Sequence, residues 1–308
     1  MKRSFLQLAA VTALAFSLTT PHFAFAEEAE EKEEAPIAQA AVPATVMSAV
    51  QAALPGAAFQ SAVLEDEDGA KVYEVKVKSA DGRLVEVMVR ADGQFTETEE
   101  QVSEEALPKP VAGTFKKLLA AAKTEELEKK TMVVYGMKKE VGEATYELTV
   151  DANGKVVSLT VESEGDEEGE EKESSVAAAD LPAAVLATVK ATLPEAVVEK
   201  AMLEDEDGTK VYEVKVKTAD GREVEVMVRA DGGLTETEEQ VKEAALPAQV
   251  AKAFAEVLPA GKVEELEKKL VVVFEAKKKG SEATYELAVD ANGEVLSLES
   301  WGGNEEKD

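Results

Sequence analysis

The chain has 308 residues, a formal charge of −29, one histidine and no cysteine. Those counts exclude a cysteine nucleophile, any disulfide and any zinc site built from thiolates. The negative field also opposes nucleic acid and anionic membrane surfaces, which need clustered Lys and Arg, while basic partners and divalent cations stay compatible with it.

Residues 1–26 open with Lys2 and Arg3, continue through an apolar run from Phe5 to Leu18, and close on Ala24-Phe25-Ala26. This order predicts a secretory signal peptide cleaved after Ala26. Cleavage removes both cations and no acid, which takes the charge to −31, and it removes His22, the sole histidine. The mature chain then lacks the imidazole of a Ser-His-Asp triad or an imidazole metal site. The apolar run is short for a membrane span and no later one approaches about 20 residues, so no stable membrane insertion is expected. The expected location is outside the cytoplasm, periplasmic or extracellular. Residues 27–40 read as an acidic disordered tail.

From residue 41 the sequence is written twice. "LEDEDGAKVYEVKVKSADGRLVEVMVRADGQFTETEEQV" (64–102) returns almost unchanged 139 positions later, at 203–241, and the offset holds through "DANG" at 151 and 290. Two units follow, 41–161 and 181–300, each divisible into two modules, about 41–102 with 106–161 and about 181–241 with 245–300. Between them "ESEGDEEGEEKESSVAAAD" (162–180) predicts an acidic, self-repelling linker. Residues 301–308, with Trp301, form a C-terminal tail.

Within a unit, "AVPATVMSAVQAALPG" (41–56) and "ALPKPVAGTFKKLLAAAK" (106–123) place Pro at the first turn of a predicted helix. Val46, Val50 and Ala53 share one apolar stripe, and Val111, Phe115 and Leu118 another. The period then changes to two: Tyr73, Val75 and Val77 alternate with Glu74, Lys76 and Lys78, and Val85, Val87 and Val89 share a face. Asp81-Gly82, Asp92-Gly93 and Asn153-Gly154 read as hairpin turns. The predicted class is α+β: tandem small modules, each a helix packed on an antiparallel sheet. A 60-residue module alone is marginal, so each unit of about 120 residues is the expected folding unit. "EELEKK" (125–130 and 264–269) admits a charged helix end or a strand approach, and reads best as a solvated face.

The acidic hairpin entries Glu65, Asp66, Glu67 and Asp68, and their repeats Glu204, Asp205, Glu206 and Asp207, are the candidate contact residues. As calcium loops they fail: with Gly69 at the sixth position of an EF-type loop, Leu64 falls at the first and Val75 at the twelfth, where carboxylates are required. Weak surface binding of calcium remains an alternative role, and a turn between two strands is the plain one. No phosphate-binding glycine loop occurs, and no catalytic residue, cofactor or metal site is expected.

The export signal, the Pro-led helix, "YEVKVKTADGREVEVMVRADG" and "TYELAVDANGEVLSLE" resemble the PepSY and PepSY-like, beta-lactamase-inhibitor-like domains of bacterial exported proteins. The hairpin pattern fits Tyr73–Gly93 and Tyr212–Gly232, and the resemblance covers nearly all of 43–161 and 182–300. It implies four modules with a binding role toward an exported protein partner, including inhibition of an exported enzyme such as a peptidase, and no catalysis.

Overall fold

The computed structural model describes residues 36–67, 70–163, 173–206, 209–281 and 283–302. The predicted signal peptide with Ala26, most of the predicted acidic tail, the middle of the predicted linker, and Asp68 and Asp207 lie outside the described residues.

The first copy runs α1 (Ala44–Ala53), β1 (Ala58–Glu67), β2 (Ala70–Lys78), β3 (Leu84–Arg90), β4 (Phe95–Gln101), α2 (Lys109–Leu119), β5 (Lys123–Val141), β6 (Ala144–Asp151) and β7 (Val156–Ser163). A short β8 (Glu173–Val176) precedes the second copy: α3 (Ala183–Thr192), β9 (Val197–Glu206), β10 (Thr209–Lys217), β11 (Glu223–Arg229), β12 (Leu234–Gln240), α4 (Ala248–Val257), β13 (Lys262–Lys279), β14 (Thr284–Asp290) and β15 (Val295–Trp301). Among the described residues the fold is α+β, four α-helices on one antiparallel sheet of fifteen strands.

Each helix starts in the same way. Pro43, Pro108, Pro182 and Pro247 sit at the N-cap with φ between −54° and −57°. The residue before each, Val42, Leu107, Leu181 or Leu246, is extended, as a residue preceding proline prefers. Its apolar side chain turns into the core below. The predicted stripes are there in part: Val46 and Val50 are buried in α1 while Ala53, at the helix end, is exposed, and Val111, Phe115 and Leu119 are buried in α2, where Leu119 takes the place expected for the exposed Leu118.

The two copies meet along β5 and β13, which pair antiparallel over their full lengths, from Glu140↔Lys262 to Lys123↔Lys279. On its other edge β5 pairs first with β4 (Glu97↔Met132 to Gln101↔Glu128) and then with β6 (Val134↔Asp151 to Val141↔Ala144). β13 divides itself between β12 and β14 in the same manner. Met132 pairs with Val271, its own counterpart in the duplication, so the pseudo-twofold axis relating the copies passes through that pair.

The ladder also places all four helices on one face. Val87, under α1, leads by register through Thr98 and Thr131 to Val272, under α2. Leu270 and Thr237 carry the same face to Val226, under α3. The α4 core, with Val133, Tyr135 and Met137 of β5, shares the parity of Thr131 and lies on that side too.

Here the structure departs from two self-contained units. Helix α4 of the second copy packs Val250, Ala253, Phe254 and Leu258 on Val133, Tyr135, Met137, Leu148 and Val150 of the first copy. Reciprocally, α2 of the first copy packs Val111, Phe115 and Leu119 on Val272, Phe274, Ala276, Leu287 and Val289 of the second. The cause is the length of β5. With 19 residues at about 3.3 Å each it spans roughly 60 Å, whereas α2, with 11 residues at about 1.5 Å, spans roughly 16 Å. Folded back from Lys123, α2 cannot reach the hairpin that begins beyond Val133, and the surface beside it belongs to the other copy. The same geometry holds for α4 and β13, so the copies exchange their second helices.

Candidate binding surface

The turn glycines hold the helices down. Gly154 and Gly293 have φ of +89° and +90°, and a Cβ on them would lie 2.8 Å from the Gln249 carbonyl oxygen and 2.7 Å from the Pro110 carbonyl carbon, in the first turns of α4 and α2. Gly93 and Gly232 meet Thr45 and Ala184 of α1 and α3 in the same way. Thr114 in α2 adds a hydroxyl donated to the Gly293 carbonyl at 2.6 Å, across the copies, as Thr188 does to Gly232 within its own copy. One face of the sheet is thereby covered by helices over its inner strands, and the other face and the edges are left uncovered by them.

That other face is charged. Acids stand directly opposite acids at Glu86↔Glu99, Glu225↔Glu238 and Glu286↔Glu299, an arrangement that is unfavourable unless cations intervene. Lys76 meets Glu86 at 2.6 Å, and Lys130 meets Glu99 at 2.8 Å and Glu275 at 3.1 Å. Near the seam Lys269 lies within 2.6 Å of Glu238 and 3.3 Å of both Glu236 and Glu267, with its side chain 9% exposed. Three carboxylates around one buried ammonium leave excess negative charge where water is scarce. Burial, and then the neighbouring Glu238, pushes Glu267 up to about 7. Burial pushes Glu236 up to about 8 against the pull of Lys269. Glu128 and Glu74 rise to about 7 for the same reason, burial first and adjacent glutamates second. The lysine itself is held protonated well above its ordinary range, because the three carboxylates outweigh its burial.

This cluster comes from "EELEKK" and "TETEEQ". The first is strand in both copies, not a helix end, and it is solvated only in part: Glu125, Glu126, Glu264 and Lys268 are exposed, whereas the side chains of Lys130 and Lys269 are 18% and 9% exposed. The signal available was the alternation of Glu and Lys at two-residue spacing in continuity with "LVVVF", which reads as a strand whose second face is polar.

The described acids of the hairpin entries belong to the ladder and not to the turn. Glu65, Asp66 and Glu67 end β1 opposite Val72, Lys71 and Ala70, and Glu204, Asp205 and Glu206 end β9 opposite Val211, Lys210 and Thr209. The structure separates the two copies here. β8, drawn from the end of the segment expected to be linker, pairs with β9 at Glu173↔Glu204 through Val176↔Ala201, and Glu204 is 2% exposed. In the first copy Asp66 is exposed and Glu65 half-buried. Glu204 is therefore out of reach of a partner while β8 is in place. Among the described residues no group of three or more acidic or other ligating side chains is placed to hold a metal ion. No described helix is long and apolar enough to cross a membrane.

A duplicated set of Pro-led helices over one antiparallel sheet, with a charged open face, defines the class as a tandem α+β module protein. The family follows from the sequence matches. Residues 43–89 and 182–228 match PepSY, "Peptidase propeptide and YPEB domain", and residues 77–158 and 219–297 match PepSY_like, "Putative beta-lactamase-inhibitor-like, PepSY-like". The second match spans more than half of the chain, and the chain belongs to the PepSY-like family. Among solved structures, similarity extends to a DUF2874 family protein from Bacteroides ovatus (14% identity, 63% of this chain and 85% of that one, TM-score 0.20). A DUF2874 family protein from Bacteroides uniformis follows (10%, 63% and 87%, 0.23), as does a BLIP-like protein from Bacteroides fragilis (14%, 62% and 80%, 0.19). With TM-scores under 0.5, none of the three constrains the arrangement described above. No curated protein matches the chain.

Proposed function

We propose that this is an exported, non-catalytic binding protein that engages another exported protein through its open sheet face and sheet edges, and acts as an inhibitor of an exported enzyme such as a peptidase. The observation that carries the reading is the joining of two PepSY-like copies into one sheet, with all helices on one face and a surplus of opposed glutamates on the other. A rigid sheet with unbalanced negative charge selects partners that bring Lys and Arg, and electrostatic complementarity of this kind speeds encounter and sets register. Glu65, Asp66 and Glu67 at the end of β1, with Asp68 next in sequence, belong to this contact surface, and the N-terminal segment directs export with cleavage after Ala26.

Crosslinking in the native envelope fraction, followed by identification of the linked protein, tests the reading. One exported protein recovered at both low and moderate salt is the expected result. Recovery of no specific partner under either condition would overturn it.

A further inference from the structure

Ten large apolar side chains are exposed among the described residues, and four of them fall in β7: Val156 at 43%, Val157 at 42%, Leu159 at 48% and Val161 at 50%. Among the described residues β7 is an edge strand that pairs with β6 alone. Leu159 and Val161 stand opposite Leu148 and Tyr146, on the face where α4 closes the core, but α4 covers Leu148 completely and leaves the next strand open. On the opposite face β7 shows Ser158, Thr160 and Glu162 beside Thr149, Glu147 and Thr145. The equivalent positions at the other end of the sheet are less apolar: Ser300 replaces Val161, and Val295 is partly buried. A strand with a free backbone edge and an exposed apolar face is a ready site for strand addition.

We infer that β7 docks an extended segment of the partner, added antiparallel to the sheet, with large apolar side chains at alternate positions against Leu159 and Val161 and Lys or Arg at the positions between. The sheet fixes this chemistry. Side chains two apart share a face, so one set extends the apolar floor beyond α4 and the other meets Glu147 and Glu162, two carboxylates beside one cation, Lys138, which lies 3.9 Å from Glu162. Charge decides between a partner and a second copy of this chain: two chains of −29 repel, whereas a basic strand is drawn in. The inference rests on the proposed protein-binding role and names the place and the chemistry of the contact.

The probe is a synthetic nine-residue peptide of alternating valine and lysine, titrated into the full chain and followed by NMR or fluorescence. Binding is expected to fall at least tenfold in the double variant Leu159→Glu, Val161→Glu. It is expected to survive Leu298→Glu at the other end of the sheet. Both sites are about half exposed, so the variants should keep the wild-type melting temperature. N-methylation of alternate peptide amides separates strand addition from charge alone: one phase of methylation should abolish binding and the other preserve it. Equal binding to wild type and double variant, indifference to methylation, or absence of binding would each overturn the assignment. So would a shift in wild-type elution volume that the double variant removes, since the occupant would then be a second copy. A native partner crosslinked equally by both proteins would overturn the docking site and leave the proposed function standing.

Discussion

Phe254→Ala tests the exchange of helices, because the damage should appear in the copy that does not contain the substitution. Phe254 is 2% exposed in α4 and packs with Tyr135, Leu148 and Val150 of the first copy. Truncating a buried phenylalanine to alanine costs about 3–5 kcal/mol, the lost transfer energy together with the cavity left behind. If the loss is taken locally, amide exchange in the structure beneath speeds up by about 1.4 kcal/mol per decade, roughly a hundredfold to a few thousandfold. Hydrogen exchange by mass spectrometry should show this gain in β6 and the second half of β5, with β14 nearly unchanged. Phe115→Ala in α2 should do the reverse, loosening β14 and sparing β6. Loss of protection in the substituted copy's own hairpin, with the other copy intact, would refute the exchange.

Three further outcomes are expected. Proteolytic cleavage confined to residues 164–172 should leave both fragments eluting together from a sizing column and unfolding in one transition, because β5, β13 and the exchanged helices hold them; separation into fragments would contradict the fold. Stability should fall as pH rises from about 5 to 8. Glu128, Glu236 and Glu267 keep protons in the folded chain up to about 7 or 8, against an ordinary glutamate value of 4.5, so the folded state binds more protons than the unfolded one over that window and the slope is negative. Urea titrations at pH 5.5 and 8 should differ by at least about 2 kcal/mol, and Glu236→Gln should flatten the difference. Finally, Gly154→Ala should lower stability by more than about 1 kcal/mol and by more than Gly82→Ala does. Both glycines have positive φ, but only Gly154 lies against the first turn of α4, while the nearest atom at Gly82 is the end of Lys78 at 3.9 Å. Thermal melts decide it.

Much of the fold was legible because its signals are local. Proline followed by an apolar stripe marked the four helices, valine alternation marked the central strands, and Asp-Gly or Asn-Gly marked turns whose glycines take φ near +90°. Duplication was plain in the letters. The exchange of helices was hidden, because it depends on where β5 ends, and that depended on reading "EELEKK" as strand. Runs of Glu and Lys look solvated in sequence, and their burial appears only when a second copy lays its own Glu and Lys alongside. Glu65, Asp66 and Glu67, with Glu204, Asp205 and Glu206, stand at a hairpin as their letters suggest, yet they extend the strands instead of turning them. No local signal separates Glu65 from Glu204. The difference comes from β8, a strand of four residues taken from the end of a segment whose composition predicts no structure. The edge position of β7 was likewise invisible, since an apolar strand reads as core until the described ladder shows β6 as its one neighbour.

The axis through Met132 and Val271 also bears on how the two copies can differ. Were such a seam formed by two identical chains, every substitution near it would be made twice, and a side chain on the axis would always face itself. Joined in one chain, the halves are free to diverge, and position 136 with its counterpart 275 is a case in point. Glu275 supplies Lys130 with an additional carboxylate at 3.1 Å, whereas Gly136 leaves open the space into which the stem of Lys269 passes, 3.6 Å from where a Cβ would be. One lysine is thereby held by glutamates of both copies, and the other by those of its own copy alone. Covalent linkage has turned a seam ruled by symmetry into two separately adjustable ones.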